Sequence, residues 1–262
     1  GLSLSRAFQR YRRGLTSSAA VAVFLVAWEV VGSQGIVSAE LISYPSQIVQ
    51  AAVAMAASGE LAANSLVTLV EFVEGFVPAV AVGLIIGLLL AMFRRLRYLC
   101  DPVLMALYTA PRIAMIPIVV IWFGIDEKSK VVIVFLSAVF PVLMNTMAGV
   151  QQVDPVWIKA ARAFGATRRQ ITQKIVLPGA LPAIMAGIRL GVGRGLLSVI
   201  VAEMYVSLAG LGHMLQTLTN NPGDTAQIFV IALGVAAVGF FVVVGLRALE
   251  EKSAAWRVDL RS

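Results

Sequence analysis

The sequence predicts an all-α integral membrane protein of about six transmembrane helices, with a basic segment between the fourth and fifth spans. Three observations predict it. Of the 262 residues, 59% are hydrophobic and only 13% are charged, against about 25% charged in a typical soluble domain. Several runs approach the roughly 20 apolar residues that cross a bilayer as a helix. The Lys and Arg residues also gather between alternate runs instead of scattering along the chain.

The first span is expected near 17–37, after Arg6, Arg10, Arg12 and Arg13. A loop over 38–60 follows. Within it Pro45 and Ser46 start a short helix with Ile48, Ala52 and Met55 on one side, too short to span and suited to lying along the outer surface. The second span, 76–93, ends a helix that begins near Asn64, and the third, 101–124, is interrupted by Pro111, Arg112 and Pro117. The fourth, 131–153, carries no charge, the fifth, 181–206, carries three, and the sixth, 225–246, is again uncharged. Six spans put both termini on one side. Sixteen of the 21 Lys and Arg lie on that side, while the opposite loops hold only Lys128 and Lys130. Basic loops stay in the cytoplasm, so both termini and the segment between spans four and five are expected there, in a multi-pass membrane protein. The sequences around 126–129 and 220–224 are expected as exposed outer loops.

That segment, 154–178, reads as two short helices. Asp154 and Pro155 make a helix start, because an acceptor side chain precedes a residue with preset φ. Gly165 turns the chain, Thr167 caps the second helix, and Pro178 is expected to end it. The size suits a DNA-reading element, but both ends are tied to spans and leave little reach into a groove. No nucleic acid is therefore expected as a partner. A docking knob for a cytoplasmic subunit fits better: Trp157 and Phe164 supply anchors, and the arginines meet an acidic rim.

Ala160, Ala161, Gly165, Ile175, Leu177 and Pro178 stand at the spacing of a known cytoplasmic motif. It is the EAA motif of the transmembrane subunits of bacterial importers driven by ATP-binding cassettes, and the segment resembles it. Lys159 stands where that family usually has glutamate, so a salt bridge from the usual acid does not carry over. The stretches PRIAMIPIVVIWFGIDEKSK, LPGALPAIMAGIRLGVGRG and VAEMYVSLAGLGHML resemble permeases of the nitrate, sulfonate and taurine group. The resemblance implies a single permease domain over 1–262, with a cytoplasmic lead-in at 1–16, a core at 64–250 and a coupling segment at 154–178. It implies a second permease copy, two cytoplasmic ATP-binding subunits and an external substrate-binding protein as partners. Trp157, Lys159, Ala160, Ala161, Phe164, Gly165, Arg168, Arg169, Ile175, Leu177 and Pro178 would then couple the ATPase to transport.

The chain holds no Gly-rich loop followed by Lys-Ser/Thr that would cradle nucleotide phosphates. ATP and Mg²⁺ are accordingly expected in the partner, with no cofactor and no catalysis in this chain. A single histidine, His213, rules out a His-rich metal site, and a single cysteine, Cys100, rules out an intrachain disulfide. Charges inside spans mark paths, partners or interfaces. Arg112, Arg189, Arg194 and Glu203 are thus candidates for the translocation path, with interhelical ion pairing as the structural reading of Arg189 and Glu203. Gly187, Gly191, Gly193 and Gly195 narrow the helix around Arg194 and permit close helix approach. Arginines beside a path favour a small anionic solute. An ion-coupled secondary transporter or a channel is the rival class, although no internal repeat of the kind carriers use is evident across the spans.

Overall fold

The computed structural model describes residues 2–35, 42–220 and 225–253, and among these residues it is helical with no strand. Eleven helices follow in order: α1 (Leu2–Ser33), α2 (Pro45–Ser58), α3 (Glu60–Met92), α4 (Arg94–Thr109), α5 (Ile116–Phe123), α6 (Glu127–Gln151), α7 (Pro155–Ala163), α8 (Arg168–Ile171), α9 (Leu177–Val206), α10 (Leu211–Thr219) and α11 (Thr225–Ser253). They fall into two compact units: residues up to 62 with 215–234, and 63–214 with the rest of α11.

In the first unit, α2 starts at Pro45 as its sequence predicts, with Ile48 and Met55 buried. Its first turn is held by a residue of α1. The backbone N–H of Ser46 donates to Glu29 Oε2 at 3.0 Å, and the Ser46 hydroxyl donates to Glu29 Oε1 at 2.7 Å. A carboxylate at a helix N-terminus meets the positive end of the helix dipole. Trp28 lies between Phe24 and Phe229, with ring centroids 6.0 and 5.8 Å away.

The second unit is organised around α6. Its charge-free stretch supplies buried residues along its length, among them Val134, Ala138 and Val142. On one side α3 presents Gly75, Ala79, Gly83 and Gly87, all buried and four residues apart. A Cβ on Gly83 would come within 2.9 Å of the Val139 carbonyl, and one on Gly87 within 2.7 Å of the Leu143 carbonyl. On another side α9 presents Gly187, Gly191 and Gly195, and a Cβ on Gly187 would come within 2.7 Å of Asn145 Cβ. Small residues at four-residue spacing let backbones approach where burial in lipid gives no extra drive to associate. The Ser198 hydroxyl donates to Ser137 Oγ at 2.6 Å, tying α9 to α6. Gly193, by contrast, faces open space.

Four helices are long and apolar enough to cross a membrane: Glu60–Met92, Glu127–Gln151, Arg168–Val206 and Thr225–Ala248. A further pair, Arg94–Thr109 and Arg112–Phe123, is long and apolar enough only when taken together and meets at 89°, the pattern of a broken span or a re-entrant loop. The break falls at Ala110-Pro111, where proline excludes the helical conformation of its predecessor. The first sequence-predicted span corresponds to the apolar part of α1, Ala19–Ser33, which is shorter than the other spans. All but Asn220 of the expected outer loop at 220–224 lies outside the described residues, as do Arg257 and Arg261.

Two sequence expectations are corrected here. The 126–129 stretch is exposed at Asp126, Glu127 and Lys128 as expected, but it is the start of α6 and not a loop: Asp126 accepts from the Glu127 N–H at 2.8 Å, and Ser129 and the following Lys130 are buried. Pro178 does not end a helix. A π-helical turn, Thr172–Val176, joins α8 to α9, so that Arg168–Val206 runs as one span with Pro178 near the start of α9. Proline lacks an N–H and its ring crowds the carbonyl four residues back. A wider turn before it accommodates both demands without a stop.

Candidate functional site

Asp154 accepts from the Val156 N–H at 2.8 Å and starts α7, with Pro155 in its first turn. After α7 the chain reverses at Gly165, whose φ of 77° lies in the left-handed region that favours glycine. The Gly165 N–H donates to the Arg162 carbonyl and the Ala166 N–H to that of Ala161, both at 3.0 Å, so the helix end is closed. Thr167 and Gln170 then cap α8 reciprocally: the Gln170 N–H donates to Thr167 Oγ1 at 3.3 Å, and the Thr167 N–H donates to Gln170 Oε1 at 2.8 Å.

This framework holds apolar side chains outward. Trp157 is 60% exposed and Phe164 is 92% exposed. Lys159, Ala160, Gly165, Arg168 and Arg169 are also exposed, while Ala161, Ile175, Leu177 and Pro178 are half-buried. The segment thus has a solvent-facing anchor side at α7 and a root at Ile171 and Val176, which are buried. No helical break separates the root from α9.

A second cluster joins α3, α6, α9 and the start of α10. Lys130 forms an ion pair with Glu71 and donates to Ser207 Oγ at 2.9 Å. Glu203, fully buried, accepts from the Thr68 hydroxyl and from the Gly212 N–H, each at 2.7 Å. The Leu211 N–H donates to Thr68 Oγ1 at 2.9 Å, and the Gly210 N–H donates to Asn64 Oδ1 at 2.7 Å. Three successive backbone donors at the start of α10 are therefore taken by side chains of α3 and α9. Buried charges are tolerated when paired and hydrogen-bonded, and this cluster meets that condition almost completely; Glu71 Oε2 is the one carboxylate oxygen in it without a partner.

A third cluster surrounds the break between α4 and α5. Arg112 sits just past the break, where its Nε donates to the Leu136 carbonyl at 3.0 Å and its Nη2 to the Tyr108 carbonyl at 3.2 Å. Arg194 comes from the open side of α9 and donates from Nη2 to the Tyr108 hydroxyl at 3.3 Å. The Tyr108 ring lies under both guanidiniums, 5.9 Å from Arg112 and 5.1 Å from Arg194.

The structure thus sorts the four charged candidates. Arg112 and Arg194 come together, Arg189 forms an ion pair with Glu250 of α11, and Glu203 caps α10 in its own cluster. Sequence reasoning missed Tyr108, which stands four residues before Arg112 on the other side of the break. It also missed Lys130 and Thr68. Lys130 looked like a loop cation because it closes a polar run, and only its place directly before the apolar stretch of α6 hinted at burial.

Comparison with known proteins adds three findings. Residues 80–253 match the family described as "Binding-protein-dependent transport system inner membrane component". The chain is 35% identical over 236 residues to a putative aliphatic sulfonates transport permease protein of Bacillus subtilis, covering 90% of this chain and 85% of the relative. It is 30% identical to the taurine transport system permease protein of Escherichia coli, covering 95% of this chain and 92% of that one. Among solved structures, an inward-facing MetNI methionine ABC transporter chain superposes with a TM-score of 0.51 at 22% identity, covering 69% of this chain and 91% of that chain, a likeness of fold.

Proposed function

Because the chain belongs to the binding-protein-dependent transport system inner membrane component family, and so is a permease subunit of an ATP-driven importer, we propose that it carries a small anionic solute. An external binding protein delivers that solute, and two copies of the chain enclose its path. Two separate ATP-binding subunits bind and hydrolyse ATP with Mg²⁺, and they dock on α7 and α8. Both termini and this docking segment lie in the cytoplasm, a reading supported by sixteen of 21 basic residues on that side.

The observation that carries the coupling role is the capped α7–α8 knob, with Trp157 and Phe164 exposed and no helical break between α8 and α9. Trp157 and Phe164 are anchors of the kind that fill a partner pocket, with Arg168 and Arg169 at its rim. Ala160, Ala161 and Gly165 keep the knob slim, while Ile175, Leu177 and Pro178 pass its motion into the span. Lys159, exposed on α7, faces the same partner with a charge opposite to the acid usual in the motif. For the cargo, the named relatives are permeases for sulfonates and taurine. An anionic group on the cargo, which both of these share, is favoured by Arg112 and Arg194, which have no carboxylate partner among the described residues.

Charge reversal of Arg168 and Arg169 to Glu tests the docking role. The expected result is loss of co-purifying ATP-binding subunit with normal membrane insertion. Retention of the ATPase together with unchanged ATP-driven uptake would remove the role assigned to α8.

A further inference from the structure

We propose that Arg112, Arg194 and Tyr108 form one low-affinity site for an oxyanion head group, placed at the break between α4 and α5. The proposal rests on the anion-import reading and adds to it where the anion pauses and which groups hold it.

Charge balance is the first support. Lys130 has Glu71 and Arg189 has Glu250, whereas neither Arg112 nor Arg194 has an acid within ion-pair distance among the described residues. Two half-buried cations over one tyrosine ring, with no acid beside them, are expensive inside a membrane. The fold nevertheless holds them in place, since Arg112 is fastened to two backbone carbonyls from α4 and α6.

Donor capacity is the second. A guanidinium has five N–H donors and no acceptor. Arg112 uses two of them and Arg194 uses one. Most of the donors are left for an incoming group. The Tyr108 hydroxyl accepts from Arg194, which leaves its own hydrogen to donate. Planar guanidiniums favour groups with two or more oxygens, such as sulfonate, carboxylate or bicarbonate.

Backbone geometry is the third. Arg94–Thr109 and Arg112–Phe123 meet at 89°, and non-helical backbone at membrane depth is tolerated where it is buried in protein or lines a cavity. Broken helices of this kind mark binding sites in other transporters. The neighbouring face of α9 supports the same assignment. Gly187, Gly191 and Gly195 pack inward, while Leu190 and Leu197 are exposed and a Cβ on Gly193 meets nothing. Arg194 is therefore carried on the side of α9 that the packing leaves open. A path needs a site that is favourable enough to enter and weak enough to leave, and a pair of arginines without an acid satisfies both.

The test uses the assembled transporter and methanesulfonate as the probe, with chloride at equal ionic strength as the control. A ligand that binds the folded state raises its thermal midpoint. The expected result is a methanesulfonate-specific rise in wild type. Its apparent affinity falls on the order of tenfold in Arg194→Gln, since a hydrogen bond to a charged group is worth about that much. It falls less in Arg194→Lys and Tyr108→Phe, which retain the charge and the ring respectively, and stays at the wild-type value in Arg189→Gln. Tyr108→Phe keeps the test informative if an arginine variant does not assemble. An equal rise in wild type, Arg194→Gln and Tyr108→Phe overturns the site, as does the absence of any rise in wild type. Uptake in the same preparations separates the two levels: ATP-driven uptake of a solute with an anionic head group without the binding signature overturns this site alone, whereas ATP-driven uptake confined to solutes with no anionic group overturns the anion reading itself.

Discussion

Two polar clusters sit in the same unit, and they treat charge in opposite ways. In the cluster at Glu203, an ammonium meets a carboxylate, and the second carboxylate is capped by a hydroxyl and a backbone N–H. At Tyr108, two guanidiniums share an aromatic ring, one bound to two carbonyl oxygens and the other to the tyrosine hydroxyl, and neither has an opposite charge beside it among the described residues. A cluster whose groups are almost all partnered has little left to offer a ligand, and its bonds tie α3, α6, α9 and α10 together. An unsaturated cluster of one sign stabilises little by itself, and its unused donors are its chemistry. Buried charge alone does not identify a transport residue.

The contrast predicts an order of effects on stability that runs against the order for transport. The largest belongs to Lys130→Met, which leaves Glu71 buried and uncompensated at a cost of about 3–5 kcal/mol. The yield and thermal midpoint of the solubilised protein check this, and Lys130→Met combined with Glu71→Leu should recover most of the loss. Thr68→Val comes next at about 1–3 kcal/mol, because Glu203 loses its hydroxyl donor and the Leu211 N–H its acceptor. Arg189→Gln should cost no more than about 1 kcal/mol, the ordinary value of a partly solvated pair. Arg194→Gln should leave the midpoint within about 0.5 kcal/mol of wild type while reducing uptake the most. If Arg194→Gln destabilises as much as Lys130→Met, the distinction between the clusters fails.

Local signals were the legible part of the sequence. Asp154 with Pro155, and Thr167 followed three residues later by Gln170, each carry their helix start within four residues, and the structure places both caps where those residues stand. The same holds for α2 at Pro45 and for the interruption at Pro111. The illegible part depended on partners distant in the chain. Nothing near Lys130 announces Glu71, which sits on α3, and nothing near Glu203 announces Thr68. Pro178 misled because a stop signal was weighed without the π-helical turn that precedes it. Of the candidate path residues, sequence alone named Arg112 and Arg194 but had no means of bringing them to one tyrosine. Their convergence is a property of the break between α4 and α5 and of the glycine packing that turns α9.

The most direct measurement is ATP-driven uptake together with ATP hydrolysis in vesicles containing the assembled Arg194→Gln transporter, supplied with the anion carried by its own binding protein. The account predicts normal assembly and continued hydrolysis, with uptake reduced on the order of tenfold, the worth of a hydrogen bond to a charged group. Wild-type uptake at unchanged hydrolysis would contradict it.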